Sequence, residues 1–216
     1  MKKLSLITVL LFIFSLSIYA LDMNSKKIFE KPLDETSTEF KEIEQALSSS
    51  AMKALFTQTK SVPRFKRNLI SSGTMLLQAG IGMAWLTEKP YESIMVVTKD
   101  SMKQRVAGGK VIAQNVEGNT VYLAIAEAME NVFSGRFSLI HDVFTPYFTK
   151  EDDKWYIGLV PKNDDFSSFV SFITLSGNKY IEKVFMQEKG GNTILYEFNN
   201  VFLGELNETE KRVFAL

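Results

Sequence analysis

The stretch from Phe56 to Asp100 places the strongest constraint on the fold, because three short apolar runs in it alternate with polar residues. Turn-forming residues separate these runs at Val62-Pro63, Gly80 and Lys89-Pro90. Alternation with a period of two over about four to eight residues is typical of half-buried antiparallel strands. We therefore predict a sheet of antiparallel strands in which one face is buried.

The buried face of this predicted sheet carries large and flexible side chains. Alternate positions place Ile81, Met83 and Trp85 on one face, together with Met75 and Leu77 from the preceding run. A single such residue is more often packed core than a ligand contact. Methionine, however, adapts to apolar surfaces of varied shape. The excess of bulky, flexible side chains on one wall therefore favours an apolar cavity.

The N-terminus predicts a signal peptide over residues 1–20. Lys2-Lys3 precedes an apolar run from Leu4 to Ile18, and Ala20 supplies the small residue of a cleavage site. Position 18 holds isoleucine where alanine is usual, so an uncleaved anchor is the alternative. The pattern predicts an exported protein.

Composition argues against several functional classes. The 216 residues include 25 basic and 25 acidic residues, so no net charge favours nucleic acid. The sequence contains no cysteine, which excludes disulfides, thiolate metal ligands and an acylated N-terminal cysteine. The length fits one domain with a sizeable core.

Two amphipathic helices are expected beside the sheet. Residues 21–35 predict a flexible N-terminal arm. Thr36 and Glu39 match a capping box, and apolar residues then recur at helical spacing from Phe40 to Ala54. A second apolar stripe predicts a helix over Thr120 to Phe133. Because no regular strand–helix alternation accompanies it, this helix can plug or cover a curved sheet.

The remaining apolar runs predict further strands, with a hairpin turn over residues 188–192. These strands are expected at Tyr91–Val97, Met102–Val106, Trp155–Leu159, Phe169–Leu175, Tyr180–Gln187 and Thr193–Phe198.

The sequence offers no suitable set of catalytic residues. The single histidine, His141, lies beside Asp142, but no Gly-x-Ser-x-Gly turn presents a serine nucleophile. One histidine without cysteine argues against a zinc site. Gly108-Gly109-Lys110 lacks the Ser or Thr that a phosphate-binding loop requires. We predict no catalytic residue, no metal site and no cofactor. An enzyme acting on acylated substrates is a lower-ranked alternative and would depend on His141.

The central stretch resembles the LolA family of periplasmic outer-membrane lipoprotein carriers, over about residues 36–216. One branch of that family reads G-x-x-W-x-T-x-x-P, which Gly82, Trp85, Thr87 and Pro90 match. Further elements in the same order are Phe56-Thr57-Gln58, Ser72-Gly73, Ile94 to Val97, residues 155–161, residues 188–193, and Leu206, Glu210 and Phe214.

The resemblance implies a mainly β (α+β) fold: an incomplete, strongly curved antiparallel β-barrel covered by helices, with residues 36–216 as one lipid-carrier domain. It implies a monomer that takes an acylated lipoprotein or lipid from an inner-membrane exporter to an outer-membrane acceptor. No nucleic acid is expected as a partner. The alternative is a periplasmic regulatory protein that senses lipids or lipoproteins.

One position departs from the family pattern. The best-studied carriers have an arginine-proline pair before the tryptophan strand, and that arginine holds the cover of the cavity. Here Gln78-Ala79-Gly80 occupies the corresponding place. The cover must therefore be held in another way, and the cargo can be an acylated product other than a lipoprotein.

The candidate ligand-binding residues are the bulky apolar side chains of the presumed inner face and of the second helix, which we expect to act as the cover. They are Phe56, Met75, Leu77, Met83, Trp85, Met95, Leu123, Met129, Phe133, Trp155 and Ile157.

Overall fold

The computed structural model describes residues 27–65, 67–114 and 120–216, with the side chains of residues 114, 120–125 and 165 outside the description. The predicted signal peptide and residues 21–26 of the predicted arm also lie outside it. The helices are α1 (Thr38–Leu47), α2 (Thr120–Phe133), α3 (Asp164–Ser167) and α4 (Glu208–Arg212), with 3-10 turns at Phe137–Ile140 and Val213–Ala215.

Eleven strands make up the described sheet. They are β1 (Ala51–Ser61), β2 (Leu69–Gln78), β3 (Gly82–Lys89), β4 (Ser93–Thr98), β5 (Met102–Val106), β6 (Ile112–Gln114), β7 (Phe144–Glu151), β8 (Lys154–Pro161), β9 (Val170–Gly177), β10 (Ile181–Glu188) and β11 (Thr193–Leu203).

All neighbouring strands are antiparallel, in the order β6-β5-β4-β3-β2-β1-β11-β10-β9-β8-β7. Strands β6 and β7 are the two edges, so the sheet is not closed. The predicted mainly β, antiparallel and incomplete architecture is thereby confirmed.

The alternating stretch forms β1 to β4 as successive hairpins, as predicted. Gly80 lies in the β2–β3 turn with a φ of 76°, a left-handed conformation that glycine adopts without strain. Ile81 belongs to this turn and is 48% exposed, so its predicted place on the inner face is wrong. A Cβ on Gly82 would lie 2.1 Å from the carbonyl oxygen of Val97, which only glycine avoids.

The start of α1 differs from the predicted capping box. Ser37 is the N-cap, and its side chain accepts a hydrogen bond from the backbone N–H of Phe40. The hydroxyl of Thr36 instead donates to Asp34 at 2.6 Å, so it is engaged before the helix begins. The helix also ends at Leu47, and residues 51–54 of the expected apolar stripe belong to β1.

Residues 27–33 lie along the edge strand β7. The backbone N–H of Leu33 donates to the carbonyl of Pro146 at 3.0 Å, and Phe29 packs edge-on against Tyr147 at 5.5 Å. Ile28 is buried. These contacts pair and cover an edge that would otherwise be open to another strand.

The two faces of the sheet bury separate clusters. The inner cluster unites side chains of β1–β3, β7–β11, α1, α2 and α3. The outer cluster lies on the opposite face of β1–β4, where Leu206 packs with small and branched residues. The C-terminal segment covers this face because Ala51 and Ala84 leave room for it. The members of the outer cluster are Ala51, Leu76, Ala84, Val96 and Leu206, with Leu86, Ile94, Val213, Phe214 and Leu216 packed against them.

Replacing Leu206 tests the packing of the C-terminal segment. Leu206→Ala removes a side chain that is 3% exposed, and we expect it to lower the free energy of unfolding by about 2–4 kcal/mol. Urea denaturation followed by circular dichroism measures the change. Leu55→Ala, at a leucine that is 44% exposed, is the control. Equal small losses for both variants would show that the segment does not depend on this contact.

Candidate functional site

The inner cluster contains most of the predicted ligand-binding residues. Eight of them are buried members, Trp85 packs against the cluster partly buried, and Met95 is half-buried outside it. Leu123 lies outside the described side chains. The eight buried members are Phe56, Met75, Leu77, Met83, Met129, Phe133, Trp155 and Ile157.

Strand register explains why these residues meet. Met75 pairs with Trp85 and Leu77 pairs with Met83 across β2 and β3. Directly opposed residues of antiparallel strands share one face of the sheet. Trp85 also pairs with Met95 of β4, so Met95 lies on the same face although it is outside the cluster.

Helices α1 and α2 contribute buried side chains to the same cluster. On α2 the buried apolar residues are Ala128, Met129, Val132 and Phe133, a spacing that places them on one helical face. The ring of Phe133 meets that of Phe198 edge-on at 5.6 Å. The apolar stripe of α2 therefore contacts the inner side of β11.

Phe198 and Tyr196 of β11 belong to this site and were not among the predicted residues. Their rings stack with centroids 6.1 Å apart, and the ring of Tyr196 also lies 6.0 Å from Phe56. The alternation Ile194, Tyr196, Phe198 is the sequence signal that could have placed both on one face.

A polar chain borders the apolar cluster on the side of the β1–β2 hairpin. Ser71 Oγ donates to Gln58 Oε1 at 2.8 Å, and Gln58 Nε2 donates to Tyr196 Oη at 2.7 Å. Burial raises the pKa of Tyr196 to about 12. On this side the apolar lining is therefore bordered by polar side chains that are hydrogen-bonded to one another.

The two tryptophans differ in hydrogen bonding. Trp155 Nε1 donates to the carbonyl of Asn178 at 2.7 Å. Trp85 Nε1 is buried and has no hydrogen-bond partner among the described residues. A buried donor without an acceptor is costly, so the two indoles differ in how well the described residues stabilise them.

Glu130 connects α2 to the turn between β2 and β3. It is 8% exposed, and its Oε1 accepts from the backbone N–H of Gly80 at 3.0 Å and from Ser134 Oγ at 3.3 Å. Arg136 forms an ion pair with the same oxygen. A cleft of about 180 Å³ opens beside this junction, between Val97 and the side of α2.

Neither of two surface clefts coincides with the predicted cavity. The cleft beside Glu130 and a second one, lined in part by Thr57 and Glu197, contain none of the predicted ligand-binding residues in their walls. Eight of the predicted residues pack together in the inner cluster, and Trp85 packs against it. The second cleft also borders Phe198 of the inner cluster.

His141 lies outside the inner cluster. Its Nε2 pairs with Glu35, and the side chain is 42% exposed. His141 therefore contacts the segment that precedes α1.

The family model described as "Outer membrane lipoprotein carrier protein LolA" matches residues 47–209. The chain belongs to the LolA family. LolA-family proteins are carriers or binders, and family members are periplasmic. A search of curated proteins found no match. Among the described residues, no helix combines the length and apolar character needed to cross a bilayer.

Two crystal structures are among those similar to this LolA-family chain. A LolA superfamily protein from Nitrosomonas europaea is 9% identical with a TM-score of 0.46, and the match covers 82% of this chain and 97% of that one. A DUF1329 family protein from Desulfovibrio piger is 8% identical with a TM-score of 0.42, covering 76% and 90%. Membership of the family rests on the sequence match.

The departure from the LolA pattern before the tryptophan strand has a structural counterpart. Gln78-Ala79-Gly80 offers no arginine side chain, but the backbone N–H of Gly80 donates to Glu130. The charged partner of Glu130, Arg136, follows α2 in the chain. The carboxylate therefore comes from the helix, and the sheet contributes a backbone donor.

Removing the Glu130 carboxylate tests how much this junction stabilises the fold. Glu130→Ala leaves the Gly80 N–H and Arg136 without their acceptor, and we expect a loss of about 1–3 kcal/mol in the free energy of unfolding. Urea denaturation near neutral pH measures it. Glu127→Ala, at an exposed position of the same helix, matches the change in helix propensity and should change stability by less than about 0.5 kcal/mol. Indistinguishable variants would contradict a stabilising junction.

Proposed function

We propose that this LolA-family protein is a periplasmic carrier that binds the acyl chains of a lipoprotein or lipid between the sheet's inner face and α2. In this proposal residues 36–216 form the carrier domain, and the loaded monomer passes from an inner-membrane exporter to an outer-membrane acceptor. Membership of the LolA family supports a lipid-binding role. The observation that carries the proposal is the inner cluster, in which sheet and helix share one continuous apolar surface.

The described structure corresponds, in this proposal, to the unloaded protein. Its own side chains fill the space that the cargo would occupy, and four of them, Met52, Met75, Met83 and Met129, are methionines. Methionine side chains are flexible enough to withdraw and repack against an irregular apolar ligand. Each acyl methylene that leaves water contributes about 0.8 kcal/mol, so about six methylenes supply roughly 5 kcal/mol towards opening the cluster.

Helix α2 is the element we propose to move. Every strand except the edge strands β6 and β7 has hydrogen-bonded neighbours on both sides. Helix α2 instead contacts the sheet through side chains, which include its apolar stripe and Glu130. Displacing α2 would therefore leave the strand ladders intact. A carrier must also release its cargo, which requires that open and closed states differ by only a few kcal/mol.

Trp85 gives a direct test of acyl binding. The chain has two tryptophans, so the Trp155→Phe variant leaves Trp85 as the only one. We expect a fatty acid that carries bromine on its acyl chain to quench Trp85 fluorescence, because bromine quenches only on close approach. Steady-state titration measures the loss of emission.

The unbrominated fatty acid is the control and should displace the brominated one and restore emission. The Trp85→Phe variant, which keeps Trp155, reports on the opposite wall of the same cluster. A saturating amount of brominated chain that quenched neither tryptophan would contradict acyl binding at the inner cluster.

Fixing α2 in place tests whether it moves. Ala126 of α2 and Thr98 of β4 line the same cleft, and the chain has no native cysteine. We expect a reducible crosslink between cysteines at these two positions to abolish loading of the brominated fatty acid, and reduction to restore it. Fluorescence quenching before and after reduction is the measurement.

A crosslink within the sheet is the matched control. Lys183 and Glu197 are paired in β10 and β11, so cysteines at these positions join two strands and leave α2 free. This variant should load normally in both redox states. Unchanged loading and release in the Ala126–Thr98 crosslinked protein would refute a moving cover.

A further inference from the structure

Exposed apolar side chains concentrate at one end of the sheet. Among the described residues, twelve large apolar side chains are exposed. The turns 62–68, 90–92, 107–111 and 189–192 lie at one end of the sheet, which we call the loop end. Eight of the twelve exposed side chains lie in these turns or next to them. The eight are Phe65, Leu69, Ile70, Tyr91, Val106, Val111, Ile112 and Phe169.

Strand register shows that these turns are neighbours. Ser61 pairs with Thr193 at the β1–β11 boundary, which sets the 62–68 and 189–192 turns side by side. Ser72 of β2 pairs with Lys89, the last residue of β3, and Ser93 of β4 pairs with Val106. The turns 62–68, 90–92 and 107–111 therefore follow one another along the same end.

The β1–β2 hairpin extends beyond its neighbour β3. Strand β2 begins at Leu69 but pairs with β3 only from Ser72 onwards, so its first residues have no strand on that side. Leu69 is 47% exposed and Ile70 61% exposed. Phe65, in the turn itself, is 57% exposed. A projecting hairpin thus presents three bulky apolar side chains to its surroundings.

The turn structure at the hairpin tip is held by its own hydrogen bonds. The backbone N–H of Phe65 donates to the carbonyl of Val62 at 2.8 Å, and Ser61 Oγ donates to Asn68 Oδ1 at 2.5 Å. These bonds fix the described residues on both sides of the exposed Phe65.

The loop end is basic although the chain as a whole is balanced. Its four turns carry the exposed cations Arg64, Arg67, Lys110 and Lys189 among the described residues, against the acidic residue Glu92. The adjoining segment 162–169, which carries Phe169, adds one exposed charge of each sign among its described side chains, Lys162 and Asp164. None of these four cations forms an ion pair with a described carboxylate. Arg64 and Arg67 flank Phe65 in the projecting turn. This surface is complementary to negative charge.

We propose that the loop end docks on a lipid bilayer that contains anionic phospholipids. Phe65, Leu69 and Ile70 enter the interface between headgroups and acyl chains, and Arg64 and Arg67 pair with lipid phosphates. Apolar side chains that project separately from several turns, with cations between them, suit a fluid surface that closes around each one. A protein partner would instead have to match each projection with a pocket.

The docking surface is separate from the cargo site of the proposed function. None of its residues belongs to the inner cluster. Vesicle binding and acyl loading are therefore measured independently, and either can fail while the other stands.

Vesicle sedimentation tests the proposal with the purified protein. Vesicles of phosphatidylcholine with and without phosphatidylglycerol are compared at low ionic strength. Mass spectrometry verifies the N-terminus of each preparation, because an uncleaved apolar segment at residues 4–18 would bind vesicles by itself. We expect binding to the anionic vesicles, weak binding to the neutral ones, and loss of binding as salt is raised.

Two variants remove the proposed contacts. Arg64→Gln combined with Arg67→Gln should weaken partitioning onto anionic vesicles about 30-fold, since each cation near such a surface contributes about a factor of 5. Phe65→Ser should weaken it roughly 10-fold, through loss of apolar burial. Both positions are exposed, and circular dichroism verifies that each variant is folded.

Matched control variants lie at the opposite end. Phe202 is 54% exposed on β11, and Lys99 and Lys179 are exposed cations in turns there. Phe202→Ser, and Lys99→Gln combined with Lys179→Gln, should bind vesicles as the parent protein does. All variants should retain quenching of Trp85 by the brominated fatty acid when built on the Trp155→Phe background.

Three results would overturn the docking proposal. The first is equal binding to neutral and anionic vesicles by the processed parent protein. The second is an equal loss of binding in the loop-end variants and the controls. The third is absence of vesicle binding together with loop-end-dependent binding to membranes that contain native membrane proteins, which would assign the surface to a protein partner. Vesicle binding without acyl loading would refute the carrier function and leave the docking surface intact.

Discussion

The pairing of β1 with β11 is the contact on which the rest of the structure depends. It joins the hairpins β1–β6 to the hairpins β7–β11, over a register from Met52 opposite Leu203 to Ser61 opposite Thr193. Without this ladder the chain would form two separate sheets with two small apolar faces. With it, Phe56 lies opposite Phe198 and the inner faces of both halves merge into one cluster. The size of the apolar inner face is thus a consequence of one long-range strand pair.

Polar groups inside and around this apolar face differ in how fully they are hydrogen-bonded. The Ser71–Gln58–Tyr196 chain is satisfied within the sheet and the Trp155 indole by the β9–β10 turn, so they stabilise the walls. The Trp85 indole lacks such a partner among the described residues. Glu130 gathers the polar contacts of α2 at a single carboxylate. Many distributed hydrogen bonds hold the strands, whereas the described side chains of α2 (residues 126–133) meet the sheet's polar groups through Glu130, which is why we propose motion of the helix.

The outer face of β1–β4 is covered, whereas the loop end is exposed. The C-terminal segment covers the outer face of β1–β4, with Lys53 paired to Glu210 at 2.6 Å and Lys103 Nζ donating to the main-chain oxygen of Leu216 at 2.7 Å. The loop end is left uncovered, apolar and basic. A carrier that both retains an acyl chain and meets a membrane needs these two properties on different surfaces. In the proposed carrier, the inner cluster would supply the first property and the loop end the second.

Several local features could be predicted from the sequence because they depend on neighbouring residues. The period of two in residues 56–100, the helical stripe of Thr120–Phe133 and the turn at residues 188–192 all correspond to observed elements. Small errors arose where neighbouring residues compete for one role, as at the start of α1, where Ser37 caps the helix and Thr36 bonds to Asp34. Ile81 was misplaced because the turn at Gly80 extends one residue further than the alternation suggested.

What the sequence by itself determined about this protein is therefore most of its strands, its two longer helices, the apolar side chains that could line a site, and the family whose pattern they match; the short elements β6, α3 and α4, and strand β7, were not predicted. Tertiary structure alone decided which strands pair, that Phe198 and Tyr196 join the inner cluster, that Glu130 meets Gly80, and that exposed apolar and basic residues collect at one end. The physical reason is distance along the chain. Periodicity and turn chemistry act between residues a few positions apart. The Glu130–Gly80 and Lys53–Glu210 contacts join residues 50 and 157 positions apart, and only the folded sheet brings them together.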